Sequence, residues 1–165
     1  MFSGKTSELI RRLRRAKCAG QTTRLFKYSN DTRYTRESLA SSHDGITEQA
    51  TPIADAKSMG DLSNIQVVGI DEGQFIDNLV VVAQLLADQG KHVIITALNS
   101  DFRRQLWPRI TELLPLCDEV VTLYAVCHSC KKDAAFTKRI GSSEQLEVIG
   151  GAELYEASCR GCFLK

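Results

Sequence analysis

Met1-Phe2-Ser3-Gly4-Lys5-Thr6 opens the chain and suggests a phosphate-binding loop. Gly-Lys-Thr closes the pattern G-x-x-x-x-G-K-[ST], in which glycine lets the backbone wrap a phosphate, lysine neutralises it and threonine binds Mg²⁺. A strand normally precedes the pattern. Because the sequence begins inside the pattern, we expect its first glycine and that strand to be missing, as in a fragment, an alternative start or a mispredicted gene start. Gly-Lys-Thr alone also fits an ordinary turn, so downstream residues must decide.

Composition favours one globular core with a small appended module. The chain has 165 residues, of which 43% are hydrophobic and 25% charged, and its net charge of +1 gives no reason to expect nucleic-acid binding. The apolar runs, such as residues 93–98, are too short to cross a bilayer. No secretory signal is visible, because charged residues interrupt the N-terminal stretch, so we expect a cytoplasmic protein. Six cysteines in such a chain favour metal binding or free thiols over disulfides.

Hydrophobic periodicity predicts strands alternating with helices. This order is typical of an α/β fold with a mainly parallel sheet, which binds ligands at the carboxyl ends of its strands. A polar, turn-rich loop is expected over residues 29–61, and a kink or interruption at Pro108 in the third helix. The predicted strands are residues 24–28, 65–70, 91–98 and 119–125, and the predicted helices are residues 7–18, 78–88 and 103–114.

The strand at residues 65–70 runs into Asp71-Glu72-Gly73-Gln74. An apolar strand that ends in Asp, downstream of Gly-Lys-Thr, is the Walker B arrangement, in which the acidic tip lies beside the phosphate loop and holds Mg²⁺. The alternative is a buried strand that ends in a capped turn. Asp31 and Arg33, in the long loop, are candidates to contact phosphate or sugar hydroxyls, although loop capping and a surface charge would also explain them.

Two C-x-x-C pairs, Cys127/Cys130 and Cys159/Cys162, form the second motif. Four thiolates complete a tetrahedral shell for Zn²⁺, and a closed shell makes the metal structural rather than catalytic. Redox pairing of the thiols is the alternative. Between the pairs, residues 134–140 and 145–149 are expected to form two joined strands. Cys18 and Cys117 adjoin apolar helical patterns and are expected to be plain core residues.

Taken together, these blocks resemble the cytosolic, zinc-containing thymidine kinases. The resemblance rests on Met-Phe-Ser-Gly-Lys-Thr, on Asp-Thr-Arg-Tyr at residues 31–34, on Gly-Ile-Asp-Glu-Gly-Gln-Phe at residues 69–75, and on Val-Ile-Gly-Gly at residues 148–151 between the two cysteine pairs. The blocks occur in the expected order and extend over almost the whole chain.

The resemblance implies a P-loop NTPase-like α/β domain over residues 1–126 and a zinc-binding lasso over residues 127–165 that closes over the nucleoside as a lid. It implies transfer of the ATP γ-phosphoryl group to the 5′-hydroxyl of deoxythymidine with Mg²⁺, in a homo-oligomer, by resemblance a tetramer, that binds neither nucleic acid nor membrane. Glu72 is the implied catalytic base, and Thr6 and Asp71 the magnesium ligands. The implied ATP-binding residues are Phe2, Ser3, Gly4, Lys5, Thr6, Asp31, Thr32, Arg33, Asp71, Gly73 and Gln74, and the implied thymidine-binding residues are Phe102, Leu146, Glu147, Val148, Ile149, Gly150 and Tyr155.

Two other readings of the sequence remain open at this point. One is a folded but catalytically impaired form that only binds nucleotide or pairs with other subunits, since a missing first strand would expose a strand edge. The other is a nucleic-acid-binding zinc ribbon, which the neutral net charge and the Walker B arrangement disfavour.

Overall fold

The computed structural model describes residues 1–31, 39–41, 47–141, 145–146, 148 and 150–165. The helices are α1 (Lys5–Cys18), α2 (Leu79–Asp88), α3 (Pro108–Leu113) and α4 (Arg160–Phe163). The strands are β1 (Thr23–Tyr28), β2 (Leu39–Ser41), β3 (Thr47–Gln49), β4 (Thr51–Ile53), β5 (Val67–Asp71), β6 (His92–Ile95), β7 (Ala125–Val126), β8 (Asp133–Ala134), β9 (Phe136–Arg139) and β10 (Tyr155–Ser158).

A four-stranded sheet in the order β4-β1-β5-β6 forms the centre of the molecule. All three of its strand pairs are parallel, and every residue of β5 is buried. A strand covered on both faces needs a continuous apolar sequence, which is the pattern that predicted it. The predicted α/β fold with a parallel sheet is therefore confirmed.

The two faces of the sheet are covered by different helices. Val67 packs with Leu9 and Leu13 of α1, whereas the next residue, Val68, packs in a second cluster with Leu79 of α2. This follows from the pleat, which turns successive side chains to opposite faces. Gly69 makes room for α1, because a Cβ there would lie 2.7 Å from Leu13 Cδ1. In the described part of the chain, no helix is both long and apolar enough to cross a membrane.

The region predicted to be a long loop, residues 29–61, contributes a strand to the sheet. Strand β4 pairs with β1 in parallel, and β2 and β3 form an antiparallel pair before it. The pattern missed β4 because Pro52 lies within it and is a signal against strands. Proline lacks an N–H but is tolerated on an edge strand, where one side of the backbone needs no partner.

The third helix is shorter than predicted. It begins at Pro108, in the first turn, where a missing N–H costs nothing, so the proline starts the helix instead of kinking it. The residues before it form a turn around Asp101, whose Oδ1 accepts hydrogen bonds of 2.8 Å from the backbone N–H groups of Arg103 and Gln105. This turn carries Phe102 at the carboxyl end of the sheet.

The strand predicted over residues 119–125 is wrong for most of its length. Residues 119–124 pair with no strand in the described part of the chain, and Val120 and Val121 are more than half exposed. Strand propensity reflects packing against neighbours, so β-branched residues without a neighbouring strand do not form one. Only Ala125 and the residue after it, Val126, form a strand, and they pair with β8.

Residues 125–165 are here called the cysteine module, and their described part contains two antiparallel pairs, β7–β8 and β9–β10, followed by α4. The predicted partner of the strand at 134–140 was residues 145–149, and this is wrong. Residues 145, 146 and 148 are not in a strand, and β9 pairs with β10 in the register Arg139↔Tyr155. Tyr155 and Ala157 turn inward on β10, which gives that strand the buried face that anchors the pair.

Replacing Leu13 by Ala tests the packing of α1 on the sheet. Leu13 is 1% exposed, so we expect a loss of about 2–5 kcal/mol in the free energy of unfolding, from lost burial and the cavity left behind. The matched control is Leu85→Ala on α2, where the side chain is 55% exposed and the change should stay within about 0.5 kcal/mol. Urea unfolding followed by circular dichroism measures both, and equal losses would contradict the assigned packing.

Candidate active site

The phosphate loop leads directly into α1. Gly4 precedes the first residue of the helix with φ +75°, in the left-handed region that favours glycine. The first backbone N–H groups of a helix have no partner inside it, and the helix dipole places partial positive charge there. Lys5, the first helical residue, adds a full positive charge. The start of α1 is therefore built to hold an anion such as phosphate.

The hydroxyl of Thr6 is joined to the carboxylate at the tip of β5. Thr6 Oγ1 donates to Asp71 Oδ2 at 2.8 Å, and Thr96 Oγ1 donates to Asp71 Oδ1 at 2.5 Å. Asp71 is 5% exposed, and this burial, together with the charge of Glu72, raises the pKa of Asp71. A clustered hydroxyl and carboxylate are the hard oxygen ligands that Mg²⁺ prefers, so these residues fit a magnesium site. Sequence reasoning missed Thr96, whose only signal is its place directly after β6.

Glu72 lies next to Asp71 in a left-handed conformation, with φ 55°. Non-glycine residues seldom adopt this conformation, and such residues concentrate at functional sites. Gln74 fixes the Glu72 carboxylate, since Gln74 Nε2 donates to Glu72 Oε2 at 2.5 Å. The backbone N–H of Leu98 donates to Gln74 Oε1 at 3.0 Å, which determines that the amide NH₂ faces Glu72. Both side chains are buried, Gln74 to 2% exposure, so the carboxylate is held in one orientation.

A cavity opens between the carboxyl end of the sheet and the cysteine module. Its lining includes predicted site residues that are far apart in the sequence, namely Asp31, Glu72, Phe102, Leu146, Val148, Gly150 and Tyr155. Sequence reasoning missed further lining residues, namely Met1, Tyr28, Phe75, Leu98, Trp107, Thr137 and Arg139. Phe75 stacks on Tyr28 and meets Trp107 edge-on, which gives the cavity an aromatic wall.

Arg139 is the most connected of the residues that sequence reasoning missed. Its guanidinium lies 3.7 Å from the centre of the Phe102 ring, and its Nη2 donates to the Tyr155 hydroxyl at 2.6 Å and to the Leu146 carbonyl at 3.1 Å. The Tyr155 hydroxyl in turn donates to the Val148 carbonyl at 2.7 Å. One arginine of β9 thus contacts β10, the Leu146 carbonyl between these two strands, and Phe102 in the turn before α3. Nothing in its sequence context distinguished it from a surface charge.

The four predicted zinc ligands come together at one point. The Sγ atoms of Cys127, Cys130, Cys159 and Cys162 all lie within 4.8 Å of one another. The Sγ atoms of Cys130 and Cys159 are 3.5 Å apart, close to the edge of about 3.8 Å expected for a tetrahedron of sulfurs around zinc. Backbone N–H groups of Cys130 and Cys159 lower the pKa of Cys127 to about 6, which favours the thiolate that binds metal. The residues therefore fit a structural zinc ion.

The other predicted residues fall in three groups. Gly73 N donates to the Thr96 carbonyl at 2.9 Å, and Gln74 Nε2 donates to the Glu72 carboxylate, while the expected contact of both residues with phosphate stays a prediction. Thr32, Arg33, Glu147 and Ile149 lie outside the described residues. Cys18 and Cys117 are exposed, so their expected place in the core is wrong. Cys18 ends α1, and Cys117 follows a turn whose leucines are exposed as well.

This combination defines a class of protein, a phosphate-loop α/β protein with an attached four-cysteine centre. Comparison with known proteins agrees with it. A family profile described as "Thymidine kinase" matches residues 1–163. The chain is 44% identical to the cytosolic thymidine kinase of Bos taurus and 42% identical to that of Homo sapiens, over 100% of this chain and 69% and 70% of those proteins. It is 40% identical to the thymidine kinase of Variola virus, over 99% of this chain and 92% of the viral protein.

This chain belongs to the thymidine kinase family. The resemblance found in its motifs is thereby confirmed, and the family relation extends over the whole chain.

Cysteine-to-serine substitutions test the metal centre. We expect Cys130→Ser and Cys162→Ser each to lower the zinc content below one ion per chain and to lower the melting temperature, because three thiolates leave the shell incomplete. The matched controls are Cys18→Ser and Cys117→Ser, whose thiols are exposed and lie outside the cluster. Metal analysis by mass spectrometry and thermal unfolding give the readouts. Full zinc content in Cys162→Ser would remove that residue from the ligand set.

Proposed function

We propose that this chain transfers the γ-phosphoryl group of ATP to the 5′-hydroxyl of deoxythymidine, the reaction that its family membership implies. The observation that carries the proposal is the contact of 2.8 Å between Thr6 of the phosphate loop and Asp71, with Glu72 beside it facing the cavity. The proposed phosphate site, metal ligands and base therefore lie together at the carboxyl end of the central strand β5.

The phosphate loop has the role of holding ATP. Backbone N–H groups at the start of α1, together with Phe2, Ser3 and Gly4, would surround the phosphates, and Lys5 would neutralise them. Thr6 and Asp71 would hold Mg²⁺, directly or through water, and the bound ion would offset the charge that develops on the phosphoryl oxygens. Thr96 keeps the Asp71 carboxylate turned toward Thr6 through its hydrogen bond of 2.5 Å.

Glu72 is the proposed general base. Transfer requires the nucleoside hydroxyl to lose its proton as it attacks phosphorus, and a carboxylate within hydrogen-bond reach can accept it. Glu72 lines the cavity in which the acceptor would lie, and Gln74 donates a hydrogen bond to its carboxylate. The base then needs no rearrangement before proton transfer, which lowers the entropic part of the barrier.

The nucleoside would occupy the cavity between the sheet and the cysteine module. Phe102 and Tyr155 line it as aromatic walls, and Leu146, Val148 and Gly150 also line it, where their backbone would face a pyrimidine edge. A close pocket favours the 5-methyl group by about 1–3 kcal/mol. Asp31 would contact the sugar, and Arg33 would support charge in the transition state. Residues 127–165 would act as a lid that keeps water from the phosphoryl group.

We also propose a cytosolic protein that assembles as a homo-oligomer, by family resemblance a tetramer. The cytosolic location is supported by the names of relatives such as those of Bos taurus and Homo sapiens, which are described as cytosolic thymidine kinases, and the homo-oligomer rests on the family resemblance alone. The structural zinc ion would be held by the four cysteines and would stabilise the lid instead of taking part in chemistry.

Replacing Glu72 by Gln tests the assigned base. We expect the rate of deoxythymidine phosphorylation to fall by about 10²- to 10⁴-fold, because the amide cannot accept the proton. ATP affinity and zinc content should remain, since Glu72 belongs to neither site. The matched control is Glu112→Gln on α3, an exposed position away from the cavity.

Transfer of radiolabelled γ-phosphate from ATP to deoxythymidine is the assay. Unchanged turnover in Glu72→Gln would reject Glu72 as the base. A wild-type chain that binds ATP and thymidine but transfers no phosphate would reject the proposed activity and favour a role in binding alone.

Replacing Arg139 by Gln tests the lid. Arg139 donates to backbone carbonyl groups of the segment that lines the cavity, and a hydrogen bond to a charged group contributes about 1.5–3 kcal/mol. We therefore expect the KM for deoxythymidine to rise about 10- to 100-fold while the KM for ATP stays within about twofold. The matched control is Lys138→Gln, one residue earlier on β9 and facing the other side of the strand. Equal increases in both KM values would argue against a role confined to the nucleoside.

A further inference from the structure

We propose that Phe2 couples the zinc site to the phosphate loop, so that nucleotide binding and zinc retention reinforce each other. Phe2 is then a positioning residue, because its side chain packs against the cysteine module while its backbone is part of the phosphate loop. The inference rests on the proposed binding of ATP at that loop. It extends the proposed function because it links two sites that otherwise have separate roles.

The side chain of Phe2 turns into the apolar core of the cysteine module. It packs against the buried cluster of Ala125, Cys127, Ala134 and Ala157. Two more of the proposed zinc ligands, Cys159 and Cys162, pack against the same cluster. The other described members of this cluster are alanines and cysteines, so the partly buried ring of Phe2 is the largest apolar side chain among them. Three of the four sulfur ligands therefore belong to the same packing unit as a residue of the phosphate loop.

The backbone of the same residue is held in an uncommon conformation. Phe2 has φ 61°, in the left-handed region, and only one residue separates it from Gly4, which has φ 75°. A non-glycine residue keeps such a conformation only where its surroundings enforce it, and for Phe2 the packing of its ring provides that constraint. If the ring loses its contacts, the backbone can relax, and the N–H groups that would face a phosphate move with it.

Zinc maintains these contacts because it holds the four sulfurs together. Without the metal, the four cysteines lose the crosslink that holds them together, and the small core that they help to form loosens. The zinc-bound module therefore favours the arrangement of the loop that binds nucleotide. Coupling between two binding sites is reciprocal, so bound nucleotide must in turn raise the affinity for zinc by the same factor. Affinity changes at one site appear mostly in the dissociation rate, so we expect bound nucleotide to slow the release of zinc.

A second contact between the module and the α/β unit provides the control. The guanidinium of Arg104, in the turn before α3, lies 4.8 Å from the centre of the Phe163 ring and 6.0 Å from that of Phe136. Arg104 touches the module but is not in the phosphate loop. Replacing it removes a contact across the same boundary without changing the path from zinc to nucleotide.

The experiment measures zinc release from the zinc-loaded, full chain. Release to a chromogenic chelator is followed with and without saturating MgADP in the wild type, Phe2→Ala and Arg104→Ala. We expect MgADP to slow release from the wild type by about fivefold or more, within the usual range of coupling between sites. Phe2→Ala should keep one zinc per chain, lose this protection and bind MgADP about fivefold more weakly. Arg104→Ala should keep the protection, even where its basal release is faster.

Each contrary result has a separate meaning. A wild-type chain that binds MgADP without any change in zinc release overturns the coupling and leaves the kinase proposal intact. A wild-type chain that does not bind MgADP overturns the proposed function and the coupling with it. Full protection in Phe2→Ala, or equal loss of protection in Arg104→Ala, rejects Phe2 as the link. If Phe2→Ala does not retain zinc, Phe2→Val is measured instead, because its shorter side chain still removes most of the ring contacts, and full protection in that variant overturns the proposal.

Discussion

The hydrogen bond between Thr6 and Asp71 is the contact on which the arrangement of the site depends. It joins the first turn of α1 to the tip of β5, two elements that are 65 residues apart in sequence. Asp71 is buried, and a buried carboxylate is costly unless hydrogen bonds satisfy it, so the bonds from Thr6 and Thr96 stabilise the fold at the proposed magnesium site. Because the Asp71 carboxylate needs these hydrogen bonds, the phosphate loop, the central strand β5 and the end of β6 meet at one point.

Around this point, further hydrogen bonds fix the orientation of each candidate functional group. Gln74 holds Glu72, and a backbone N–H holds Gln74. Arg139 plays the same part in the cysteine module, where its guanidinium donates to the Leu146 carbonyl and stacks on Phe102 of the turn before α3. Such support fixes the orientation of a group before a ligand arrives, and pre-organised groups cost less free energy to use in the transition state.

The local sequence predicted the elements whose patterns depend only on their own burial. Strand β5 is apolar throughout because both of its faces are covered, and α1 shows the spacing of a helix with one buried face. Prediction failed where a partner decides the outcome. Residues 119–124 have the composition of a strand but no described neighbour, whereas β4 contains a proline and still pairs at the edge of the sheet. Pairing depends on what lies alongside, and no local pattern contains that information.

For the site, the sequence by itself determined which residues are candidates for the chemistry, because phosphate, magnesium and zinc each require particular donors at particular spacings. Gly-Lys-Thr, Asp71-Glu72 and the two C-x-x-C pairs could all be recognised for this reason. Only the tertiary structure decided which residues support them. Thr96, Arg139 and the inward turn of the Phe2 ring have no signature in sequence, since each acts through a neighbour that is distant along the chain. Long-range packing sets their roles, and it exists only once the chain has folded.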